Sequence, residues 1–577
     1  MKRNISLLFF IPLTLIMIII SCKSENKIQD TVISIRLPKD PGILNPLVYS
    51  SSLGREVYQY IFLPLADYDP ASLDLKPILI ERIPEKKVEK NGISYGFRIK
   101  NEAKWDDGSP ITGKDYEFTL KAVLNPGSNA AAYRTLLGRI SQVEVSEEDS
   151  RKVTVFFEDD FPLSLETCIN FELYPQHIYD PKNVLGKYSF EDFKNYQLDS
   201  TRADGDLIAF TDDFNGLKHS KNIIHGAGPY QLVEWTSDQS IKLKKVENYW
   251  GKDTGIPACE QNIDEIIFQI IADGNTAFTQ FVSDNIDVLP ALSSSQYDEI
   301  VQSPQLSEKY EILTPQLMKY YFVLLNNQQE LLKHKEVRQA LNHLIDRKQL
   351  IDIFENGKAQ IINAPFHPSK PYYNHDLKNV EYSVNQAREI LESQGWHDTN
   401  NNGTLDKNLD GKVRELELTL YESGSEMGDK IALLISEAGK KAGIKLDIIK
   451  KSFRLIAEEN IATDEFDMVL AQASQDLSID DPYSKWHSSR IGKKSGNDAN
   501  YFNEKVDSLC EKIRLESSME ALIPLFEELE TIMYDDCPIL FLYSPIERIG
   551  VNKRFKGQGT SKRPGYMANT FEYIGQE

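Results

Sequence analysis

Positive charge is what this chain is short of. Its 577 residues carry 65 Lys and Arg against 87 Asp and Glu, a formal net charge of −22. Phosphate-backbone binding needs basic patches, so a nucleic-acid partner is not expected. An anionic membrane surface is an equally poor electrostatic match. Cysteine is scarce too: there are five, and beyond Cys22 they stand far apart at Cys168, Cys259, Cys510 and Cys537. With no Cys-x-x-Cys pair, zinc-ribbon and thioredoxin-type chemistry drop out. A Cys510–Cys537 bridge stays open in an exported compartment, and structural burial is the ordinary alternative. The nine histidines are scattered. His-Glu-x-x-His, Gly-x-Ser-x-Gly, the phosphate-cradling Gly-x-x-x-x-Gly-Lys-Ser/Thr and Gly-x-Gly-x-x-Gly are all missing. Nothing selects a pair of carboxylates for glycoside hydrolysis from the many present. No catalytic residue, metal or cofactor is therefore expected.

Long apolar runs are absent after the first 22 residues, and that start is distinctive. Lys2 and Arg3 precede a largely apolar stretch over residues 5–20, then Ile19-Ile-Ser-Cys22. A basic start, an apolar middle and a small residue before the break read as a secretory signal peptide. The stretch falls short of the ~20 residues that span a bilayer. Apolar-apolar-small-Cys resembles the bacterial lipobox, which implies lipidation of Cys22. Several acyl chains, each worth ~0.8 kcal/mol per buried methylene, then tether an exported body to the envelope. Lys23 and Ser24 lack the Asp that often retains lipoproteins at the inner membrane, which leans the anchor outward; a periplasm-facing inner-membrane site is the other option. Residues 22–30 are polar and suit a short flexible tether.

The remaining ~555 residues exceed one ordinary domain and read as α/β throughout. Strands are expected over 31–37, 93–99, 240–246 and 263–271. A helix starts after Thr112, where Asp115 completes a capping box. Residues 160–224 are rich in Asp, Lys, Asn and Gly and read as loops with short pieces between. Residues 333–357 read as one helix, with Val337, Leu341, Leu344 and Ile345 as its apolar stripe and Gly357 at its stop. A shorter helix is expected over 386–394. Over 414–475, alternating Leu416, Leu418 and Leu420, helical spacing at Ile431, Leu434, Ile435 and Ala438, and apolar runs at 444–449 and 466–471 predict a strand–helix–strand–helix–strand unit with a mostly parallel sheet. Ligands of such sheets lie beyond the carboxyl ends of the strands, here residues 472–482. Asp398, Asn400, Asn402 and Asp406 alternate around Gly403 as in a Ca²⁺ loop, but Leu409 occupies the position of the bidentate Glu. A polar, glycine-turned connection is the favoured reading.

Several segments together resemble the extracellular solute-binding proteins of peptide-type ABC transporters. They are Trp105-Asp-Asp-Gly-Ser-Pro-Ile-Thr-Gly-Lys-Asp115, Gly228-Pro-Tyr230 with Asn248-Tyr-Trp-Gly251, Asn285-Ile-Asp287, Val337-Arg-Gln-Ala-Leu341 through Asp346-Arg347, residues 387–395 and Asp480-Asp-Pro482. Arg338 and Asp346 are read as fixing a helix rather than touching ligand. The resemblance implies a two-lobed, periplasmic-binding-protein-like fold of type II, in its three-domain peptide-binding variant, with mixed sheets and a hinge. Its parts would be a signal peptide over 1–21 and a tether over 22–30. A discontinuous domain of the first lobe would cover 31–70, 225–312 and 538–577, with a smaller inserted domain at 71–224. The second lobe would be 313–537. It implies a receptor that traps a solute, most readily an oligopeptide, and passes it to ABC permease subunits in the membrane; relatives take nickel complexes, sugars or other solutes. Family members hold a peptide α-amino group with an Asp just past the 466–471 strand. Asp476 is the expected counterpart, with Asp480 second, Gln472 and Ser474 beside them, and Tyr133 as an aromatic facing the cleft. The Trp usual before this Asp is missing here. The competing readings are a lipid-anchored extracytoplasmic hydrolase, which the missing motifs disfavour, and a receptor of the same fold used for sensing.

Overall fold

The computed structural model describes residues 31–48, 51–161, 163–195, 205–493, 496–516 and 518–575. Cys22, the leader and the tether lie outside the described residues. Two large sheets organise the chain. The first has seven strands in the order Tyr310–Leu313, Ile549–Asn552, Val288–Leu289, Val32–Leu37, Glu265–Ile270, Ser240–Lys245, Tyr230–Thr236. Val32–Leu37 at its centre runs parallel to Glu265–Ile270 and buries Ile33, Ile35 and Leu37 completely. Asp287 fixes the register here: its carboxylate accepts from Ser34 N and Ser34 Oγ, both 2.8 Å, and from Arg554 Nε at 2.6 Å. The Asn285-Ile-Asp287 element is thus a sheet fastener.

The second sheet has five strands, Lys445–Lys450, Glu417–Glu422, Met468–Ser474, Lys319–Leu325 and Ile539–Phe541. Glu417–Glu422 pairs in parallel with both Lys445–Lys450 and Met468–Ser474. The predicted parallel unit is therefore present, with the helix Glu426–Ala442 as its first crossover. Gly443 ends that helix in the left-handed region at φ +87°, where glycine carries no Cβ penalty. Lys319–Leu325 joins antiparallel to Met468–Ser474, which makes the sheet mixed. Ile539–Phe541, expected with the first lobe, pairs with residues 322–324 of this second sheet. The chain passes between the sheets at residues 314–318 and again at 545–548. These passages touch: Glu547 N donates to Pro315 O at 2.9 Å, and Lys319 pairs with Glu547.

A third sheet of four strands, Lys86–Val88, Ile93–Arg98, Lys152–Phe157 and Ile140–Val145, lies in the segment between the strands of the first. Its helix Gly113–Leu124 begins as expected: Asp115 Oδ2 accepts from Thr112 N at 2.9 Å and from Thr112 Oγ1 at 3.1 Å.

Two expectations need correction. Residues 160–224 hold the helices Ser164–Ile169, Gln176–Tyr179, Phe190–Asn195 and Gly205–Asn215. Buried Phe171, Tyr174, Phe193 and Phe214 pin them to the main core. The single helix of 333–357 is two, Lys335–Asn342 and Arg347–Glu355. Asp346 breaks it by capping the second, accepting from Gln349 N at 2.9 Å. Arg347 then reaches inward to donate to Phe541 O at 2.8 Å. The described cysteines are free and buried, so Cys510 and Cys537 are not bridged. Among the described residues no helix is long and apolar enough to cross a membrane.

Candidate functional site

The segments that line the space between the large sheets are held in place by the glycine-rich motifs. At Gly226 and Gly228 a Cβ would collide with the backbone of Ile61 and Tyr60. Only glycine permits this approach, in which Gly228 N donates to Ile61 O at 2.8 Å. The Trp105 turn is tied to the same place, with Asp106 N on Gly226 O at 3.1 Å. These motifs carry no ligand group of their own; they set the position of residues 58–64, one wall of a cleft.

The opposite wall comes from the second sheet. Its strand Met468–Ser474 ends in exposed Gln472 and Ser474 and runs into Gln475 and Asp476. Two adjoining cavities lie there. The deeper, of about 420 Å³, is lined by Arg55, Tyr58, Asp67, Tyr133, Glu166, Glu172, Asp476, Lys562 and Arg563 among others. The second, of about 410 Å³, is lined by Glu56, Lys319, Gln472, Ser474, Asp476, Glu547 and Arg563 among others. Asp476, Gln475, Arg55 and Arg563 belong to both.

The structure thus brings together four of the five expected ligand-facing residues, Asp476, Gln472, Ser474 and Tyr133. Asp476 is 83% exposed at its side chain and faces Arg55 Nη1 across 3.8 Å. Arg563 reaches Ser474 Oγ from the same side. Asp480 lies elsewhere, behind the loop. Its carboxylate accepts from Tyr372 Oη at 2.6 Å and Gln475 Nε2 at 3.2 Å, and sits 3.3 Å from the buried Lys370 Nζ. Lys370 also donates to Asp476 O at 2.7 Å and to Ser478 O. His367 N donates to Gln475 Oε1 at 2.7 Å. Asp480 and Lys370 are the scaffold that presents Asp476; burial pushes the lysine pKa down and the Asp480 carboxyl up, each opposed by the other.

Charge in the cleft is partly matched. Burial works against Arg55, yet Tyr58, Glu172 and Asp476 hold its pKa above the usual value. Lys562 pairs with Asp67. Burial, with Glu547 nearby, pushes the Glu56 carboxyl up to about 8. Burial likewise raises Glu166 and Glu172, opposed chiefly by Tyr68 in one case and Arg55 in the other. Sequence reasoning missed Arg55, Glu56, Glu166, Glu172, Lys562 and Arg563, which reach the cleft from segments far apart in the chain. Among the described residues no group of three His, Cys, Asp or Glu stands close enough to hold a metal ion. In the loop at 398–406, Asp398 is occupied by the backbone N–H groups of Asn402 and Gly403 at 3.0 and 2.9 Å. Asp406 binds Thr399, which fits the polar-connection reading.

Comparison with known proteins bears on this cleft. The oligopeptide-binding protein AppA of Bacillus subtilis (strain 168) is 26% identical over 522 residues, covering 90% of this chain and 87% of that protein. The nickel-binding periplasmic protein of Escherichia coli (strain K12) is 24% identical over 416 residues, 71% of this chain and 70% of its own. Among solved structures, Bacillus subtilis AppA in complex with a nonapeptide has a TM-score of 0.68 at 22% identity, covering 94% of this chain and 99% of that one. NikA from Brucella suis in complex with Fe(III)-EDTA has a TM-score of 0.73 at 18% identity, covering 94% and 100%. At such identities the structures establish the two-lobed fold alone. Residues 74–495 match the family model for bacterial extracellular solute-binding proteins, family 5 Middle, and the chain belongs to that family.

Proposed function

We propose that this protein is a non-catalytic receptor that closes on a short peptide between its lobes and delivers it to ABC permease subunits. The observation that carries the reading is Asp476: a carboxylate on the loop after a sheet strand, held from behind by Lys370 and open to both cavities. An α-ammonium group there replaces Arg55 as its partner, while main-chain hydrogen bonds hold an extended ligand as an added strand. Gln472, Ser474 and Tyr133 are the flanking contacts. Closure bends the passages at 314–318 and 545–548. The domain division follows the same plan: 31–70, 225–312 and the chain after residue 544 in the first lobe, with 71–224 inserted in it, against 313–544. The similarity to an oligopeptide-binding protein over 90% of the chain supports a peptide as ligand.

Calorimetry with a random short-peptide mixture tests the reading. Wild type and Asp346→Ala give comparable heats, and Asp476→Ala weakens binding about tenfold or more, the cost of a charge-assisted hydrogen bond. No heat and no thermal shift with any peptide would sink the peptide assignment. The anchor belongs to the same proposal: lipid on Cys22 keeps the receptor at the envelope. Labelling cells with a radioactive fatty acid gives a labelled wild type and an unlabelled Cys22→Ser; a labelled Cys22→Ser contradicts the anchor.

A further inference from the structure

Carboxylates outnumber cations in the lining of the deeper cavity. Residues 62–64 and 171–173 approach as a short antiparallel bridge between Pro64 and Glu172, which turns the Glu172 side chain to the cavity lining. Glu166 reaches the same lining from the helix Ser164–Ile169. Four carboxylates line this cavity, Asp67, Glu166, Glu172 and Asp476, against three cations, Arg55, Lys562 and Arg563. Each cation is already engaged: Lys562 with Asp67, Arg55 with Asp476, and Arg563 with Ser474. Among the described residues the side-chain partner of Glu166 is the Tyr68 hydroxyl, 2.6 Å from its Oε1. Glu172 has no hydrogen bond or ion pair from any side chain among the described residues. Burial keeps its carboxyl above the usual range, opposed chiefly by the nearby Arg55 guanidinium, which it shares with Asp476. Tyr58, Tyr68, Tyr133 and Phe171 also line it, and aromatic faces attract a cation further.

We propose that the deeper cavity is a side-chain subsite for a cationic residue, lysine or arginine, of the bound peptide, with Glu172 as its ion-pair partner and Glu166 beside it. This rests on the peptide reading above, with the α-ammonium on Asp476 and the side-chain cation on the opposite carboxylates. An apolar side chain of equal length leaves Glu172 desolvated and unpaired when the lobes close, which costs affinity. An acidic side chain is repelled.

The test is calorimetry with trialanine carrying lysine at its first, second or third position, each compared with norleucine at that position, at physiological salt. At one position or more, lysine binds about tenfold or more tightly than norleucine, the scale of a charge-assisted hydrogen bond. In the double variant Glu166→Gln, Glu172→Gln that ratio falls to near one, because the lysine peptide loses its ion pair and the norleucine peptide no longer leaves a carboxylate unpaired. The wild-type comparison stands even where the double variant does not fold. Norleucine equal to lysine at every position overturns the subsite and leaves the peptide reading intact. So does a lysine preference that survives in the folded double variant. No binding of any of the six peptides overturns both.

Discussion

His367 and His219 are nearly sealed from solvent, one in each half of the molecule. His367 Nδ1 accepts from Ser369 N at 3.1 Å, so its proton is on Nε2, which faces Ser544 Oγ at 2.9 Å. A second ring proton would point at a backbone N–H. His219 stacks on Tyr179 at 4.7 Å. Burial, then a neighbouring lysine, pushes both imidazoles down to about 4 from 6.5. Below pH 6.5 the unfolded chain takes up protons that the folded chain refuses. Stability is therefore full above that value and falls towards pH 4, by up to ~1.4 kcal/mol per pH unit for each histidine. Urea unfolding of wild type and His367→Gln from pH 8 to 4.5 reads this directly. The variant loses less stability over the acid half of the range; parallel curves would refute the assignment. Neither histidine is distinguished in the sequence, because burial is decided by residues such as Tyr179 and Ser544 far away. The same limit separates Asp476 from Asp480. Both follow the same strand, and Lys370 and Tyr372, more than a hundred residues earlier, join Gln475 in turning Asp480 inward.

The presenting loop is the element on which the site depends. Residues 475–480 are irregular backbone, and their order comes from the segment 365–372 behind them. Lys370 supplies three contacts, two to carbonyls and one to Asp480. Removing one member of a buried ion pair costs ~3–5 kcal/mol, because the partner charge stays buried alone. Lys370→Met accordingly lowers the unfolding free energy by about that much and weakens solute binding, although Lys370 lines neither cavity. A variant with wild-type stability and affinity would show that the loop holds itself. Elements with strong local signals were legible in the sequence: the capped helix Gly113–Leu124 and the parallel unit from Glu417 to Ser474 carry their periods and caps within a short window. The helices between residues 164 and 215 were not, since their polar composition hides aromatics that pack only once the third sheet is present. The break at Asp346 was equally hidden, because an apolar stripe at helical spacing continues through Leu344 and Ile345, which are buried without being helical.

At the scale of the whole molecule, two sheets face each other across a cleft and share two short passages of chain. A buried ion pair, Arg548 with Glu355 at 2.8 Å, fastens the second passage to the helix Arg347–Glu355. Among the described residues, Arg55 meets Asp476 and Arg563 meets Ser474 across the cleft, while Ser294, Tyr297 and Asp298 of the first lobe meet Phe354, Lys358 and Asn356 of the second. Partly exposed pairs such as Arg55 with Asp476 are worth little in water, so on the proposed reading a ligand replacing them shifts the balance between open and closed lobes. The ordered motifs from Trp105 to Pro482 made the two-lobed architecture legible. Asp476 was named from the sequence, but its neighbours Arg55, Glu172 and Lys562 were not, because they meet it only through the fold. The most direct test of solute capture is native mass spectrometry of ligand-stripped protein mixed with an equimolar library of tripeptides. The account predicts one peptide per chain, drawn from a subset of the library, and an adduct that Asp476→Ala loses. Bare protein at every peptide concentration would contradict it.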